Sequence, residues 1–318
     1  DELMRFDEFG TKTRLARCAP RSDISVPVYI NEFWTAKQRA ACNLHEISYR
    51  ACFKPQLPRF FIERITKPGD VIYDPFMGRG TTLLEAALLG RRAWGCDISP
   101  LSQILIAPRL DPPSLNEVES RLKEIPWTSF QLIPHDLLVF YHVETLQEIS
   151  ALRAYLGQRQ ADGHYDKVDA WIRMVATNRL TGHSPGFFSV YTLPPNQATS
   201  IERQIKINAK RQQVPPRRDV PDLILRKSKS LLKDLTSEQI CNLKKYARGH
   251  RLLTSSCDAT EPLPANSVNL VVTSPPFLNV VQYQNDNWLR CWFNGINTSQ
   301  VTLWQHRDLD KWQAAMTG

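Results

Sequence analysis

The chain has 318 residues, of which 42% are hydrophobic and 23% are charged, the balance of a folded globular protein rather than of a disordered one. Its formal net charge of +8 favours a polyanionic partner. No apolar run approaches the roughly 18 residues that a membrane helix needs, and the N-terminus lacks the layout of a signal peptide. These features predict a cytoplasmic protein without a membrane partner.

The cysteines and histidines do not have the spacing of metal ligands. None of the seven cysteines forms a Cys-x-x-Cys pair, and the seven histidines show no His-Glu-x-x-His pattern. The odd number of cysteines is also untypical of a disulfide framework. We therefore predict reduced cysteines and no metal site.

The N-terminal part of the chain is difficult to interpret. Residues 1–44 show no clear hydrophobic period, and the charged and aromatic segment 45–58 precedes a predicted helix at 59–65. That segment can either pack on the core or contact a ligand, because it lies just before a loop of nucleotide-binding type. The residues alone leave both interpretations open.

The loop in question is rich in glycine and spans residues 74–82. Val71–Tyr73 is predicted to be a buried strand before it, and the apolar residues 83–89 a helix that ends at Gly90. Glycines let the backbone approach a ligand closely, and the helix N-terminus offers free N–H groups. No Gly-Lys-Ser/Thr follows, and Leu83 stands where the dinucleotide pattern has its third glycine. The loop therefore predicts a nucleotide-like ligand, but it has neither the phosphate-binding P-loop pattern nor the dinucleotide-binding pattern.

An acidic residue follows the next predicted strand. Residues 92–96 form this strand, and Asp97 comes directly after it, 17 positions beyond Gly80 (97 minus 80). A carboxylate at about this distance commonly binds ribose hydroxyls. Asp97 alone can equally be a solvent-exposed cap of the following turn, but the glycine loop favours the ribose role.

The middle of the chain, from about 115 to 249, breaks the alternation of strands and helices. We predict a helical region through 140–180 and a polar loop with exposed aromatic residues at 177–191. Between positions 202 and 233 there are ten Lys or Arg and only three acids. Such a run can be a solvent-exposed face, but its density and interleaved Asn and Gln favour nucleic-acid contact. The candidate contacts are Asn178, Arg179, His183, Lys206, Lys210, Arg211, Arg217, Arg218 and Lys227.

The strands resume in the last part of the chain. A strand is predicted at 251–257, ending at Asp258, and another at 268–272, which leads directly into Thr273-Ser274-Pro275-Pro276-Phe277. Prolines fix φ and cannot donate hydrogen bonds, so the carbonyls beside them stay free. A hydroxyl, free carbonyls and an aromatic face suit a flat heterocycle with an exocyclic amine. By itself, a Pro-rich turn after a strand is more often only a turn.

Taken together, these motifs resemble those of the S-adenosylmethionine-dependent DNA amino-methyltransferases, which methylate N4 of cytosine or N6 of adenine. Residues 74–82 look like the cofactor loop of the family, and 273–277 like its catalytic motif. Residues 45–58 are similar to the N-terminal motif that completes the methionine pocket. The resemblance covers about 45–110 and 250–293.

The resemblance implies a set of site residues. Asp97 falls where the family holds the ribose, and Asp258 where it meets the adenine amino group. The implied cofactor contacts are Tyr49, Phe53, Pro55, Asp74, Pro75, Phe76, Gly78, Gly80, Thr81, Thr82, Asp97, Ile98, Asp258 and Ala259. The implied catalytic residues are Ser274, Pro275, Pro276 and Phe277.

The resemblance also implies the architecture. We expect an α/β fold with a Rossmann-like, doubly wound sheet and a large, mainly helical target-recognition insertion. The cofactor-binding half with the N-terminal segment would span 1–114, the insertion 115–249 and the catalytic half 250–318. The family's sheet has seven strands, whereas only four can be assigned here. The last strands are therefore expected to be missing from this chain, through truncation or because another polypeptide supplies them.

The implied activity is methyl transfer to the exocyclic amine of a base flipped out of duplex DNA, as in restriction–modification. Phe277 would stack on the base, while Ser274 Oγ and the Pro275 carbonyl accept the amine N–H groups. Carbon-5 cytosine methylation is excluded, because it requires a Pro-Cys nucleophile that the chain lacks. Within the family, Ser274 favours N4 of cytosine.

Three alternatives remain at this point: an N6-adenine DNA methyltransferase, an RNA amino-methyltransferase, and a non-catalytic nucleic-acid-binding subunit. The expected partner is double-stranded DNA in a bacterial-type system, and the sequence leaves open whether a cognate restriction endonuclease is a second partner. The sequence predicts neither the recognition site nor the oligomeric state.

Overall fold

A computed structural model of the chain describes residues 2–35, 41–50, 52–194, 197–259, 261–276, 283–301 and 308–317. Phe277, the predicted stacking residue, lies outside these residues. The strands of the described part are β1 (Arg14–Arg21), β2 (Ile24–Ile30), β3 (Val71–Asp74), β4 (Arg92–Asp97), β5 (Arg251–Thr254) and β6 (Leu270–Val271). Its helices are α1 (Gln56–Ile65), α2 (Thr81–Leu88), α3 (Pro100–Leu110), α4 (Leu115–Glu124), α5 (Val143–Ala161), α6 (Lys167–Arg179), α7 (Ile201–Arg211), α8 (Val220–Leu232), α9 (Ser237–Tyr246), α10 (Tyr283–Asn294) and α11 (Leu309–Thr317).

Four of these strands form a parallel sheet in the order β5–β4–β3–β6. The chain lays down β3, β4 and β5 in one direction across the sheet and then returns to add β6 on the other side of β3. The order therefore reverses between β3 and β6. In open parallel sheets, ligands bind in the crevice outside the carboxyl ends of the strands at this switch point. The parallel sheet with its helices is consistent with a Rossmann-like methyltransferase.

The four predicted strands are confirmed, but two of them are shorter than the sequence indicated. β5 ends at Thr254, so the prediction that Asp258 ends this strand is wrong: Asp258 lies in a turn four residues further on. β6 pairs with β3 only through Leu270 and Val271. The apolar run continues beyond β6 at Val272, whereas polar residues follow β5; after both strands the chain leaves the sheet for the loops that form the crevice.

Helix α2 packs directly on the sheet. All of its eight residues are buried, and its contacts reach β3, β4, α1 and α9. A helix whose residues are all buried is expected where other elements cover it on all sides. The start of α2 is thereby held at the carboxyl end of β3.

The helices between residues 115 and 246 do not form a separate core. Trp171 and Ile172 of α6 belong to the same hydrophobic cluster as Leu101 and Leu105 of α3 and Leu84 of α2. α5 and α6 confirm the predicted helical region at 140–180. This part of the chain is thus a helical layer packed against α2 and α3, the helices that contact the sheet, and its assignment as a recognition domain stays a prediction.

A two-stranded antiparallel hairpin of β1 and β2 precedes the sheet. Both strands are exposed along nearly their whole length. Sequence analysis did not predict it, because β1 alternates basic and apolar residues only irregularly, and Pro27 interrupts the pattern of β2. None of the helices in the described residues combines the length and apolar character that a membrane crossing needs.

Candidate active site

The glycine loop makes a tight turn from β3 into α2. Gly78 and Gly80 have positive φ values of 48° and 76°. A Cβ on Gly80 would lie 2.6 Å from the Cγ1 atom of Ile106, so only glycine fits between the loop and α3. A Cβ on Gly78 would meet the Tyr49 ring at 3.7 Å, which places Tyr49 against the loop. The predicted loop is therefore backed by α3 and flanked by the N-terminal segment.

Asp97 joins the tips of β3 and β4. The Gly78 N–H donates to its Oδ2 at 2.8 Å, and the Ser99 N–H donates to its Oδ1 at 2.9 Å. Burial raises the pKa of the Asp97 carboxyl, while these two backbone donors act in the opposite direction. Each carboxylate oxygen can accept a second hydrogen bond. Asp97 can hold the loop and still accept a hydroxyl from a ligand.

The Ser-Pro-Pro segment lies beside the glycine loop. Thr273 Oγ1 donates to Asp74 Oδ1 at 2.7 Å, and Thr82 Oγ1 donates to the carbonyl of Val272 at 3.0 Å. The Phe76 N–H also donates to Asp74 Oδ1, at 3.0 Å. These bonds connect the ends of β3 and β6 across the switch point. The structure therefore brings the two main predicted motifs together.

Asp74 is the buried charge at this junction. It is 2% exposed, and burial raises its pKa to about 6, although the donors from Thr273, Phe76 and Thr82 lower it. A carboxyl group with such a pKa is still mainly ionised at neutral pH. Its charge makes it a stronger acceptor for the hydroxyl and amide that fix the two segments.

The turn after β5 lies next to Asp97. The Ser255 N–H donates to the Asp97 carbonyl at 3.1 Å, and Ser255 Oγ donates to the Ala259 carbonyl at 3.2 Å. Asp258 is exposed within this turn. Ala259 and Asp258 therefore lie at the same edge of the sheet as Asp97.

The N-terminal segment is fastened to the loop by two arginines. Arg79 of the loop donates from Nη1 to the carbonyls of His45 and Ile47, at 3.4 and 2.9 Å. Arg109 of α3 is 1% exposed and donates to the carbonyls of Leu44, at 3.2 Å, and of Arg79. Burial lowers the pKa of Arg109 to about 9, with a further contribution from Arg79. Sequence analysis missed Arg109; the one available signal was a lone arginine within an apolar helix.

A buried hydrogen bond between His45 and Glu85 anchors the same segment. His45 Nε2 lies 2.7 Å from Oε1 of Glu85 in α2, and both side chains are at most 5% exposed. Arg59 of α1 lies 3.4 Å from the other Glu85 oxygen. Burial lowers the pKa of His45, while Glu85 raises it. The first residue of segment 45–58 is therefore anchored on the helix that follows the glycine loop.

The remaining predicted cofactor contacts differ in position. Thr81 and Thr82 are buried in the first turn of α2, and Ile98 follows Asp97 directly. Pro75 and Phe76 lie half-buried in the loop. Phe53 and Pro55 lie in the connection into α1, with Pro55 buried, and no contact of theirs with the glycine loop is described.

Some of the predicted nucleic-acid contacts are not accessible. Asn178 is 1% exposed and donates from Nδ2 to the Ser48 carbonyl at 3.3 Å. It is buried because it lies on the face of α6 that packs on the N-terminal segment, so its side chain cannot reach DNA in this structure. Phe187 and Phe188 are buried as well, which corrects the expectation of exposed aromatic residues in that loop; Tyr191 is 39% exposed.

The basic candidates fall into three groups: exposed, paired with carboxylates, and half-buried. Lys206 and Lys210 are exposed on α7, and His183 is exposed in the loop after α6. Arg211 is also exposed, and its guanidinium stacks on the Tyr191 ring at 3.8 Å. Arg217 is paired with Glu144 at 2.9 Å and Glu148 at 3.2 Å, and Lys227 with Glu46 at 3.1 Å. Arg179 and Arg218 are half-buried, and the Arg179 guanidinium stacks on Phe187 at 4.0 Å. The basic run is therefore not one continuous surface.

Comparison with known proteins adds a family relationship. The Type II methyltransferase M.MjaII of Methanocaldococcus jannaschii is 35% identical over 77 residues, 24% of this chain and 14% of that protein. The Type II methyltransferase M.BsoBI of Geobacillus stearothermophilus is 23% identical over 289 residues, 80% of this chain and 53% of that protein. The chain thus spans about half the length of M.BsoBI.

The family model described as N6/N4 DNA methylase matches residues 22–104, which include the glycine loop and Asp97. This part of the chain is therefore similar to the DNA amino-methyltransferase family. Members of this family use S-adenosylmethionine as the methyl donor. The resemblance that the motifs indicated is thereby confirmed, while the choice between N4 and N6 is not settled.

One further similar protein acts on RNA by its name. The tRNA (guanine(10)-N2)-dimethyltransferase of Methanocaldococcus jannaschii is 37% identical over 62 residues, 19% of this chain and 18% of that protein. No solved structure matches the chain significantly.

Proposed function

We propose that this chain carries the cofactor-binding and catalytic centre of a site-specific DNA methyltransferase that modifies the exocyclic amine of a base in duplex DNA. The observation that carries the proposal is the connection between the two motifs through Thr273 and Asp74, and through Thr82 and Val272. It sets Ser274 beside the glycine loop, where a methyl donor and its acceptor must meet. Methyl transfer depends chiefly on such positioning.

The residues at the carboxyl ends of β3, β4 and β5 fit S-adenosylmethionine. The glycine loop leaves room for close backbone approach, Asp97 retains acceptor capacity for ribose hydroxyls, and Asp258 is accessible for an adenine amino group. When bound, the cofactor supplies an electrophilic methyl group. The further proposed contacts are Tyr49, Phe53, Pro55, Asp74, Pro75, Phe76, Gly78, Gly80, Thr81, Thr82, Ile98 and Ala259.

The Ser-Pro-Pro segment can hold the target amine. The nitrogen is a poor nucleophile, because its lone pair is conjugated with the ring. We propose that Ser274 Oγ and the Pro275 carbonyl accept its two N–H groups and draw it towards tetrahedral geometry. Trp312 Nε1 donates to the Pro276 carbonyl at 2.9 Å, whereas no described residue donates to that of Pro275. The Pro275 carbonyl is therefore available, and Phe277 would stack on the ring.

The target base and partners belong to the same proposal. Serine at position 274 favours N4 of cytosine, and the Type II names of the relatives favour a restriction–modification role with a cognate endonuclease. A second candidate is an RNA amino-methyltransferase, supported by the match to the tRNA dimethyltransferase. We prefer DNA as the substrate, because the family model is described as a DNA methylase and both of these relatives are named Type II methyltransferases.

Replacing Ser274 tests the catalytic part of the proposal. Ser274→Ala should lower the rate of methyl transfer by roughly 100-fold, because a hydrogen bond to a developing charge contributes about 1.5–3 kcal/mol. The affinity for S-adenosylhomocysteine, measured by calorimetry, should stay near wild type. Ser267→Ala, a half-buried serine shortly before β6, is the matched control. A fully active Ser274→Ala variant would refute the role of this hydroxyl.

A further inference from the structure

A cavity with a volume of about 430 Å³ lies at the end of α10 that is remote from the candidate active site. Its walls come from α5, from Arg173 of α6, from the last residues of α10 and from the loop at 131–134. Asp286, near the start of α10, pairs with Arg50 of segment 45–58 at 2.7 Å. The cavity is therefore separate from the candidate active site, and its volume suits a small molecule.

Two arginines in the cavity are held by neutral groups. Arg173 donates from Nε and Nη2 to the side-chain oxygen and the carbonyl of Asn294, at 2.9 and 3.0 Å, and from Nη1 to Gln160 Oε1 at 3.1 Å. The Arg153 guanidinium lies over the Trp292 ring, 5.2 Å from its centroid. Among the described residues neither arginine forms an ion pair, and those that line the cavity include no Asp or Glu. Two positive charges are thus positioned without a counter-charge.

A buried hydroxyl in the same cavity lacks a partner. Ser150 of α5 lines the cavity and is 8% exposed. Its Oγ atom is buried and has no hydrogen-bond partner in the part of the chain that the structure describes. Buried hydroxyls are nearly always hydrogen-bonded, because an unpaired one loses its bond to water without a replacement. A polar atom of a ligand in the cavity would supply the missing partner.

A glycine inside α5 leaves one wall of the cavity open. Gly157 lines the cavity, and a Cβ built on it would meet no atom within 4 Å. Glycine destabilises a helix interior relative to alanine. Close packing therefore does not require glycine at this position. Its effect is to keep space beside Ser150 and Arg153 free.

The cavity also has an apolar rim. Leu132 lines it and is 90% exposed, and Phe130 in the same loop is 85% exposed. Trp292 is half-buried beneath the Arg153 guanidinium. Exposed apolar side chains next to uncompensated cations suit a ligand that has both a flat apolar part and a negative charge. An ion without such a part would leave the rim uncovered.

We propose that this cavity binds a small anion that carries a flat ring, the chemistry shared by a mononucleotide and an aromatic carboxylate. Arg153 and Arg173 bind the anionic group, as guanidinium groups bind phosphate and carboxylate oxygens. The ring packs against Trp292 and Leu132, and Ser150 Oγ bonds a polar atom of the ligand. This binding site goes beyond the proposed methyl transfer and does not depend on it.

Calorimetric titration of the full chain with four probes tests the ligand class. Deoxycytidine monophosphate and benzoate each combine a charge with a ring and represent the two sources. Deoxycytidine has the ring alone, and inorganic phosphate has the charge alone. At least one of the first two probes should bind, and its ring-only or charge-only counterpart should bind at least roughly tenfold more weakly, the effect of one charge-assisted hydrogen bond. The probe that binds more tightly identifies the source.

Three variants locate the binding. Gly157→Leu fills the cavity without displacing a neighbour and should abolish binding, whereas Ala161→Leu, at the exposed end of the same helix, is the matched control. Arg153→Gln should weaken binding roughly tenfold. Ser150→Ala should weaken binding roughly fivefold and at the same time raise the melting temperature, since it removes an unpaired buried hydroxyl. A purely structural serine would change the melting temperature and leave binding unaltered.

The proposal is overturned if neither charged probe binds, or if binding survives Gly157→Leu. Loss of binding in Ser274→Ala together with its retention in Gly157→Leu would place the probe in the candidate active site instead. Duplex DNA provides a further check: if Arg153→Gln lowered the slope of log K against log salt by about 1, Arg153 would contact a DNA phosphate and the small-anion site would be refuted. None of these results depends on methyl transfer, so the proposed function can fail independently.

Discussion

At the residue scale, buried charged side chains hold the candidate site together. Asp74 joins the end of β3 to the segment after β6, and Asp97 joins the tips of β3 and β4. Arg109 joins α3 to the glycine loop and the N-terminal segment. Each of these groups bonds at least one backbone group from a neighbouring loop. The loops around the crevice are therefore fixed by charge-assisted hydrogen bonds rather than by apolar packing alone.

Asp74 should make stability depend on pH. Its folded-state pKa of about 6 lies above the value of about 3.9 expected in the unfolded chain, so the folded state binds the proton more tightly. Protonation of Asp74 therefore stabilises the folded state. This stabilisation is fully present below about pH 4, decreases as the pH rises to about 6, and is lost above it. Asp74→Asn retains an Oδ1 acceptor for Thr273 and Phe76. The variant should be more stable than wild type by about 2 kcal/mol at pH 7, with little difference at pH 4.

Denaturant unfolding at the two pH values measures this difference. Asp70→Asn, just before the same strand, serves as the control. If wild type and Asp74→Asn showed the same change in unfolding free energy between pH 4 and pH 7, the unfavourable burial of the Asp74 charge would be refuted.

Arg109 should contribute to both stability and cofactor binding. Arg109→Met leaves the buried carbonyls of Leu44 and Arg79 without this donor, which destabilises the fold. Removing the buried charge offsets part of this loss, because burying a charge is itself unfavourable. We expect the free energy of unfolding to fall by about 2–4 kcal/mol and the affinity for S-adenosylhomocysteine to decrease. Arg226→Met, whose side chain is 74% exposed, should have little effect on either. Unchanged stability of Arg109→Met in denaturant unfolding would contradict the role.

At the scale of elements, the basic run divides between α7 and the segments that follow it. The cations of α7 project into solvent, whereas Arg217 and Lys227 are engaged by carboxylates of neighbouring segments. A paired cation contributes less to phosphate binding, because its counter-charge must first be displaced. The exposed face of α7 is therefore the better candidate for contact with a polyanion.

The salt dependence of DNA binding distinguishes these groups. Neutralising Lys206 and Lys210 together should lower the slope of log K against log salt by about 2, since each phosphate contact contributes about 0.9. Arg217→Gln should change it much less. The paired substitution of Lys244 and Lys245, which are exposed on α9, is the matched control. An unaltered slope for the α7 variant would mean that α7 faces solvent in the complex.

The sequence was most informative where function requires particular residues in particular order. The glycine loop, Asp97 and Thr273 to Pro276 were all placed correctly at strand ends, because strand, turn and helix signals are local. Asn178 was misjudged because its burial depends on a contact with Ser48, 130 positions away. Arg109 was missed for the same reason: its partners are backbone carbonyls of distant segments, which carry no side-chain pattern.

At the scale of the whole molecule, the strand order explains why distant motifs form one site. β3 and β6 are separated by almost 200 positions, yet they are neighbours in the sheet. The helices between them share a hydrophobic cluster with the sheet, so the intervening chain is packed against the site rather than tethered to it. The predicted division at 114 and 249 is therefore a functional hypothesis, to be tested by limited proteolysis.

The most direct test of the proposed function is methyl transfer itself. The full chain is incubated with labelled S-adenosylmethionine and either duplex DNA or structured RNA, and the nucleosides are then identified by mass spectrometry. We predict label in DNA, as N4-methylcytosine, and a roughly 100-fold lower rate of labelling when Ser274 is replaced by alanine. Label in N6-methyladenine would change only the assigned base. Transfer to RNA alone, or to neither polymer, would contradict the assignment as a DNA amino-methyltransferase.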